Sequence, residues 1–399
     1  MFPGGVIMKL LPLSYATRNL GRTPGRMCLT IGGSMLVVLL VLAAGGFVTG
    51  MRKALVTSGS ENNTILLGVG SEESLERSEI PMRTAGILGA SLDGILNHAG
   101  VEGISPEIHL AMPVSLDEAT DERGDGELML VRGITHSAWL VHDEAMLLAG
   151  RVGENGRDEA VLGRLAARAL GFEPAEMAID QSIWIDGRAI KIVGILAGSG
   201  GVIEGEIWYP LTDLQVLSQR DAVSCVIASR DGATPTDLAA FASRRLDLEL
   251  TAIEETDYFA SLSAFYAPIR TMVLLTALLV GVGAVIGGLN SNYATFVSRI
   301  REMGTLQTLG FSRFAITISL LQESILASAV GALVACFIAI FVLDGTAIRF
   351  SMGVFGLRID ATVLAGGLMA GLLLGIAGAL LPAWRCLSRP IPEALKTTV

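Results

Sequence analysis

Four long apolar segments dominate this sequence, and their spacing is lopsided. One lies near the N-terminus, three lie near the C-terminus, and about half of the 399 residues fall between the first and the second. Met27–Met51 holds no charged residue between Arg26 and Arg52, and Thr271–Ser298 holds none between Arg270 and Arg299. Ser324–Leu343 and Ala361–Trp384 are equally free of Asp, Glu, Lys and Arg. Each approaches or exceeds the roughly 20 residues a helix needs to cross a hydrocarbon core. Backbone in lipid must satisfy its own hydrogen bonds, so these segments are expected to be helices. The layout predicts a membrane protein: four transmembrane α-helices plus a large α+β domain between helix 1 and helix 2.

Charge orients that scheme. Arg52–Arg270 holds 34 acids against 17 bases, whereas the rest holds 12 bases against 5 acids. The bases outside the middle region collect at Lys9, Arg18, Arg22 and Arg26, at Arg299, Arg301 and Arg313, and at Arg385, Arg389 and Lys396. The excess of Lys and Arg on cytoplasmic loops puts all three groups inside, against only Arg52, Lys53, Arg349 and Arg358 outside. The expected divisions are a cytoplasmic amphipathic segment 1–26, helix 1 at 27–51, an extracytoplasmic domain 52–269, helix 2 at 270–298 and a cytoplasmic loop 299–314. Helix 3 follows at 315–343, a short external loop at 344–360, helix 4 at 361–384 and a cytoplasmic tail at 385–399. The first apolar run exceeds the 7–15 residues typical of a signal-peptide core, so it is expected to be retained as a span. Leu13, Ala16 and Leu20 fall opposite Arg18 and Arg22, which suits either a helix lying in the inner interface or a polar lead into helix 1.

Within the middle region, Thr64–Val69 and Leu128–Arg132 read as strands. Asp158–Leu170 shows helical spacing through Val161, Leu165 and Ala169. Ser182–Ile195 predicts a hairpin turning at Asp186-Gly187. Glu206–Pro210 predicts a strand and Pro235–Leu246 a helix. Asp117–Glu127 is acidic and predicts a surface loop rather than a metal site. Cys225 is the only cysteine of this region, so no disulfide is expected within it.

Catalytic patterns are absent. The four lysines, Lys9, Lys53, Lys191 and Lys396, never follow glycine, so there is no phosphate-binding GxxxxGK[ST] loop and no ATP hydrolysis by that route. HExxH, CxxC and GxSxG are likewise missing. The histidines, His98, His109, His136 and His142, do not match metal-ligand spacings and read as surface or structural residues. No catalytic, cofactor or metal residue is expected.

Three features of the spans carry information. Ala294–Ser312 predicts a short helix that stops at Gly310, in a loop expected inside the cell. Glu323 is the lone carboxylate in an apolar span, and acids at such depth are either functional or paired; Arg299, Arg301 and a backbone group are the candidate partners. Gly367, Gly371 and Gly375 on helix 4, and Gly283 and Gly287 on helix 2, recur at a spacing that lets helices approach closely, within one chain or between two. No span has the polar lining that a solute channel needs.

The order of several segments resembles one family along nearly the whole chain. RNLGRTPGRMCLTIGG (Arg18–Gly33), AGRVGENGRDEAVLGRLAARALGF (Ala149–Phe172), IKIVGIL (Ile190–Leu196), EIWYPLTDLQVL (Glu206–Leu217), RIREMGTLQTLGFSRFAITISLLQESIL (Arg299–Leu326) and LPAWRCLSRPIPEAL (Leu381–Leu395) are similar to FtsX-like, MacB-type permeases of the type VII ABC superfamily. One departure is Phe172-Glu173-Pro174-Ala175, where the family often has a Gly-Asp pair. The resemblance implies a permease subunit that couples ATP hydrolysis by a separate ATPase subunit to shape changes of the extracytoplasmic domain. It implies two ATPase copies, a second permease copy (identical or paralogous), and ATP and Mg bound on the ATPase, with none on this chain. It also implies residence among the lipids of a bacterial inner membrane, cargo such as lipid, lipoprotein or a small hydrophobic molecule, and, in some members, a periplasmic membrane-fusion protein or carrier. No nucleic acid partner is expected. On this resemblance, Arg301, Glu302, Met303, Gly304, Leu306, Leu309 and Gly310 would meet the ATPase. The competing expectations are a membrane-anchored sensor or scaffold, and a regulator of cell-wall hydrolases without transport.

Overall fold

The computed structural model describes residues 11–22, 24–350, 353–388 and 390–392. Lys9, Arg389 and Lys396 of the basic groups lie outside the described residues, as does the end of the expected tail. The chain divides into two compact units: a helical unit of Met1–Thr49, Ile269–Asp344 and Arg358–Val399, and an α/β unit of Gly50–Pro268 and Gly345–Leu357.

The four apolar helices are Met27–Thr57, Ala267–Val297, Arg313–Leu343 and Ala361–Leu387, each 27 or 31 residues and so long enough to span. They begin or end a few residues beyond the expected limits because the charge-free stretches mark only the most apolar part of each helix. A lead helix, Leu13–Arg22, precedes the first. Its buried side is Ala16 and Asn19, while Leu13 is exposed.

In the helical unit the first, third and fourth spans pack through small residues. A Cβ added at Gly367 would sit 2.5 Å from Leu42 Cδ2, and one at Gly371 would sit 2.7 Å from the Ala332 Cβ. Gly375 abuts Ser328 and Ile325, and Gly331 of the third span abuts Ser34 and Ile31 of the first. The serines at these contacts stay satisfied, because Ser328 Oγ donates to the Ser324 carbonyl at 3.0 Å and Ser34 Oγ to the Ile31 carbonyl at 3.0 Å. The three helix 4 glycines therefore lie at contacts with the first and third spans. Gly283 and Gly287 differ: among the described residues nothing lies within 4 Å of a Cβ added at either. Of the helix Ala267–Ser298 only Ala277 and Phe296 are buried, with Asn292 Nδ2 donating to the Gly378 carbonyl at 2.9 Å.

The α/β unit is built on one ten-stranded mixed sheet. Its strands are β1 (Asn63–Gly68), β2 (Ile104–Val114), β3 (Glu127–Ile134), β4 (Met146–Gly150), β5 (Glu159–Gly163), β6 (Ser182–Ile185), β7 (Arg188–Ala197), β8 (Ile207–Pro210), β9 (Cys225–Ser229) and β10 (Leu250–Glu254). The spatial order is β10-β1-β9-β2-β3-β8-β5-β7-β4, with β6 paired to β7. β3–β8 and β5–β7 are parallel pairs. The hairpin β6–β7 turns at Asp186 (φ 50°) and Gly187 (φ 76°), the left-handed pair that a two-residue turn of this kind demands. The helix Pro235–Arg244 opens with a capping box in which Thr234 and Asp237 satisfy each other's backbone N–H. The first and last strands, β1 and β10, are antiparallel neighbours with Thr64 opposite Glu254.

Two expectations need correction. Asp158–Leu170 is not one helix: Glu159–Gly163 is strand β5, buried throughout, and only Arg164–Ala169 is helical. Val161 belongs to a short apolar run covered on both faces, which helical and strand patterns share. Asp117–Glu127 is not wholly loop, since Glu118–Glu122 forms a short helix. The Asp117 carboxylate caps it, accepting from the Thr120 backbone N–H at 2.8 Å.

Candidate functional site

The segment between the second and third spans is a helix, Ile300–Thr308, preceded by Arg299 and closed at Gly310. The closure follows from backbone chemistry. Gly310 has φ 92°, its N–H reaches the Gln307 carbonyl at 3.1 Å, and the Phe311 N–H reaches the Leu306 carbonyl at 3.1 Å. This pair of bonds around a left-handed glycine satisfies the last free carbonyls of a helix. Ser312 then caps the third span, its Oγ accepting from the Ala315 N–H at 3.1 Å.

One side of this short helix is locked into the helical unit. Ile300 and Met303 pack with Phe296, Ile316, Leu320 and Leu11, and with Ala379 and Ala383 of the fourth span. Gly304 is buried on the same side, and Leu306 is half-buried. Arg301, Glu302, Leu309 and Gly310 face outward, with Leu309 71% exposed. Such an exposed leucine beside charges is available to a partner surface. The seven residues expected to act together thus fall on two sides of one helix, three holding it and four presented.

Arg299 ties down the start of this helix. Its Nη1 donates to both Glu323 oxygens at 3.0 and 3.2 Å, and its Nε donates to Glu302 at 3.2 Å. Glu323 is therefore a paired acid, and Arg299 rather than Arg301 is its partner. The pair joins the start of the loop helix to the third span.

A second constellation, in the α/β unit, escaped the sequence patterns. Cross-strand register sets Cys225 of β9 opposite Glu107 of β2, His109 of β2 opposite Arg132 of β3, and Arg132 opposite Trp208 of β8. Glu107 is fully buried at the centre. It accepts from Ser105 Oγ at 2.8 Å and from Arg132 Nη1 at 3.1 Å, and it lies 2.9 Å from His142 Nε2 and 3.2 Å from His109 Nε2. Arg132 Nη2 donates to Glu206 at 2.7 Å, and Trp208 Nε1 donates to the other Glu206 oxygen at 3.0 Å. Burial alone would raise the Glu107 pKa, but His142, Arg132 and His109 hold it well below the usual carboxylate range. Burial opposes charge on His142 too, yet Glu107 raises its pKa above the ordinary value. His109 moves the other way, lowered by burial and by Arg132.

The donor atoms of Glu107, His109 and Cys225 lie within 4.8 Å of one another. They do not make a good cation site, since the Arg132 guanidinium already occupies Glu107 beside them. Two of the four histidines are thus structural and buried, while His98 and His136 are exposed. The one available sequence signal was the alternation of Ser105, Glu107 and His109 along β2, which period-2 reading assigns to a solvent face.

A family model described as the MacB-like periplasmic core domain matches residues 27–243, and one described as the FtsX-like permease C-terminal matches residues 272–391. The chain belongs to the MacB/FtsX-type ABC transporter permeases. The permease is 21% identical over 386 residues to the ABC transporter permease YknZ of Bacillus subtilis (strain 168), covering 92% of each chain. It is similar to the periplasmic region of MacB from Actinobacillus actinomycetemcomitans with TM-score 0.39 and 12% identity, over 52% of the permease and 94% of that chain. It is also similar to the extracellular domain of YknZ from Gram-positive bacteria with TM-score 0.37 and 14% identity, over 48% of the permease and all of that domain. The permease is a multi-pass membrane protein with its α/β domain inserted between the first and second spans.

Proposed function

We propose that this permease works as a force relay for a separate ATPase subunit. In this reading, ATP hydrolysis on two ATPase copies moves the loop helix Ile300–Thr308, the spans carry the movement across the membrane, and the α/β domain changes shape on the far side. The observation that carries it is the two-sidedness of that helix: Ile300, Met303 and Gly304 are buried in the helical unit while Arg301, Glu302 and Leu309 face outward, where a partner can reach them. The Arg299–Glu323 pair supplies a stiff link to the third span.

The same reading puts both termini and the loop helix in the cytoplasm of a cell with the permease in its inner membrane, as the Lys and Arg distribution favours. It assigns ATP and Mg to the ATPase. It pairs two permease copies, and the second span supports this: it buries little within its own chain and carries Gly283 and Gly287 with open space above them. The cargo class is lipid, lipoprotein or a small hydrophobic molecule, with a membrane-fusion protein or carrier as a further partner.

The test is stimulation of ATP hydrolysis by the reconstituted complex. Leu309→Asp should abolish stimulation while the permease inserts and unfolds as the wild type does. Full stimulation by Leu309→Asp would refute contact through this face. Gly304→Asp is the weaker probe, because a charge there disturbs packing inside the chain. A permease that captures no ATPase would instead be the anchored scaffold.

A further inference from the structure

The α/β unit holds a cavity of about 510 Å³, lined by residues of that unit alone. This lies within the range of small-molecule sites, about 300–1,000 Å³. Its walls are mainly apolar and aromatic, with Leu55, Phe259, Leu262, Phe265 and Phe355 among them. Three buried polar residues also line it: His109, Arg132 and Glu206, exposed by 3%, 4% and 1%. An apolar chamber with a few convergent polar groups is the usual form of a ligand site.

The polar groups say what the ligand carries. Arg132 spends Nη1 on Glu107 and Nη2 on Glu206, so its charge is compensated. Its Nε–H is buried without a partner. That nitrogen is closed off from the cavity as well, so the polar wall offered to a ligand is the charge-compensated one that Arg132 forms with His109 and Glu206. Glu107 and Glu206 flank the same guanidinium and repel an anion, while Glu73 and Glu76 outnumber Arg77 among the other charged lining residues. We propose that this cavity binds an uncharged amphiphile, with one apolar chain against Leu55, Phe259 and Leu262 and a hydroxyl, ester or amide head at Arg132. The site rests on the α/β unit's own geometry and does not depend on the force-relay reading.

The experiment is photo-crosslinking of the full-length permease in detergent with a 1-monoacylglycerol bearing a diazirine in its acyl chain. Adducts should map to the peptides holding Leu55, Phe259 and Leu262, and excess unlabelled 1-monooleoylglycerol should remove them. Leu262→Glu puts a carboxylate on the apolar wall and should cut labelling about tenfold, whereas Leu246→Glu, at an exposed surface leucine, should not change it. Adducts on the wild type confined to residues 27–49 of the first span and to the other three spans, or undiminished labelling of Leu262→Glu, overturn the site. Oleate competing better than 1-monooleoylglycerol overturns the uncharged head. None of these readouts involves ATP, so failure here leaves the ATPase test untouched.

Discussion

Arg132→Met isolates the buried charge network. The replacement keeps most of the side-chain volume and removes the only cation within hydrogen-bond reach of Glu206 among the described residues, leaving Trp208 Nε1 at 3.0 Å. Glu107 keeps His142 at 2.9 Å and is the less exposed of the two to the loss. Removing one partner of a buried ion pair costs about 3–5 kcal/mol, chiefly through the carboxylate left behind. For a unit of this size each kcal/mol moves the midpoint by ~2–4 °C, so the expected drop is about 6–20 °C. Tryptophan fluorescence of the full-length chain in detergent follows it directly, since Trp208 packs on His142 at 5.8 Å and on Trp139 at 4.9 Å. The double replacement Arg132→Met with Glu206→Gln should regain a good part of the loss by discharging the stranded carboxylate. A drop below about 2 °C, or a double variant no better than the single one, would refute the account of a charge-compensated core.

Other consequences are as direct. Burial pushes Glu144 up to about 7 from its ordinary 4.5. An acid so raised is ionised in the unfolded chain first, so its contribution to stability falls as pH climbs. The advantage of Glu144→Gln over the wild type should grow between pH 4.5 and about 7 and then level off; a flat difference across that window contradicts the assignment. Gly371→Val would press on Ala332 and Val38 and should cost about 1–3 kcal/mol in a thermal unfolding series, while Gly287→Val, with open space around it, should leave the single chain unaffected. Glu323→Gln removes a charge from a pair of half-buried side chains and should weaken ATPase stimulation more than thermal stability; the reverse order would make the pair merely structural.

Much of this architecture was legible because lipid imposes long, simple signals. Twenty apolar residues in a row can hardly be anything but a span, and the glycine register on the fourth helix told which face would be approached. The Asp186-Gly187 turn and the Gly310 stop were equally readable, since both depend on backbone conformations that few residues adopt. The failures share a cause. Glu159–Gly163 is too short for its period to separate strand from helix. The network around Glu107 joins residues from β2, β3, β8 and the turn after Val141, and only strand register, a long-range property, brings them together. Gly283 and Gly287 have the same spacing as the packed glycines, yet among the described residues nothing lies within 4 Å of a Cβ added at either, because spacing announces readiness for contact and not which helix supplies it.

On the force-relay reading, the adjacency of β1 and β10 decides how load would enter the sheet. The polypeptide comes in at Thr64 and goes out at Glu254, side by side at one end of the same antiparallel ladder. Tension drawing the two flanking helices apart would peel this ladder rung by rung from its mouth, the gentlest direction in which such a seam can open. A buried carboxylate sits at that mouth. Glu255 Oε2 accepts from the Ser60 backbone N–H at 3.0 Å and from Asn63 Nδ2 at 2.9 Å, stitching the incoming strand to the outgoing one where tearing would start.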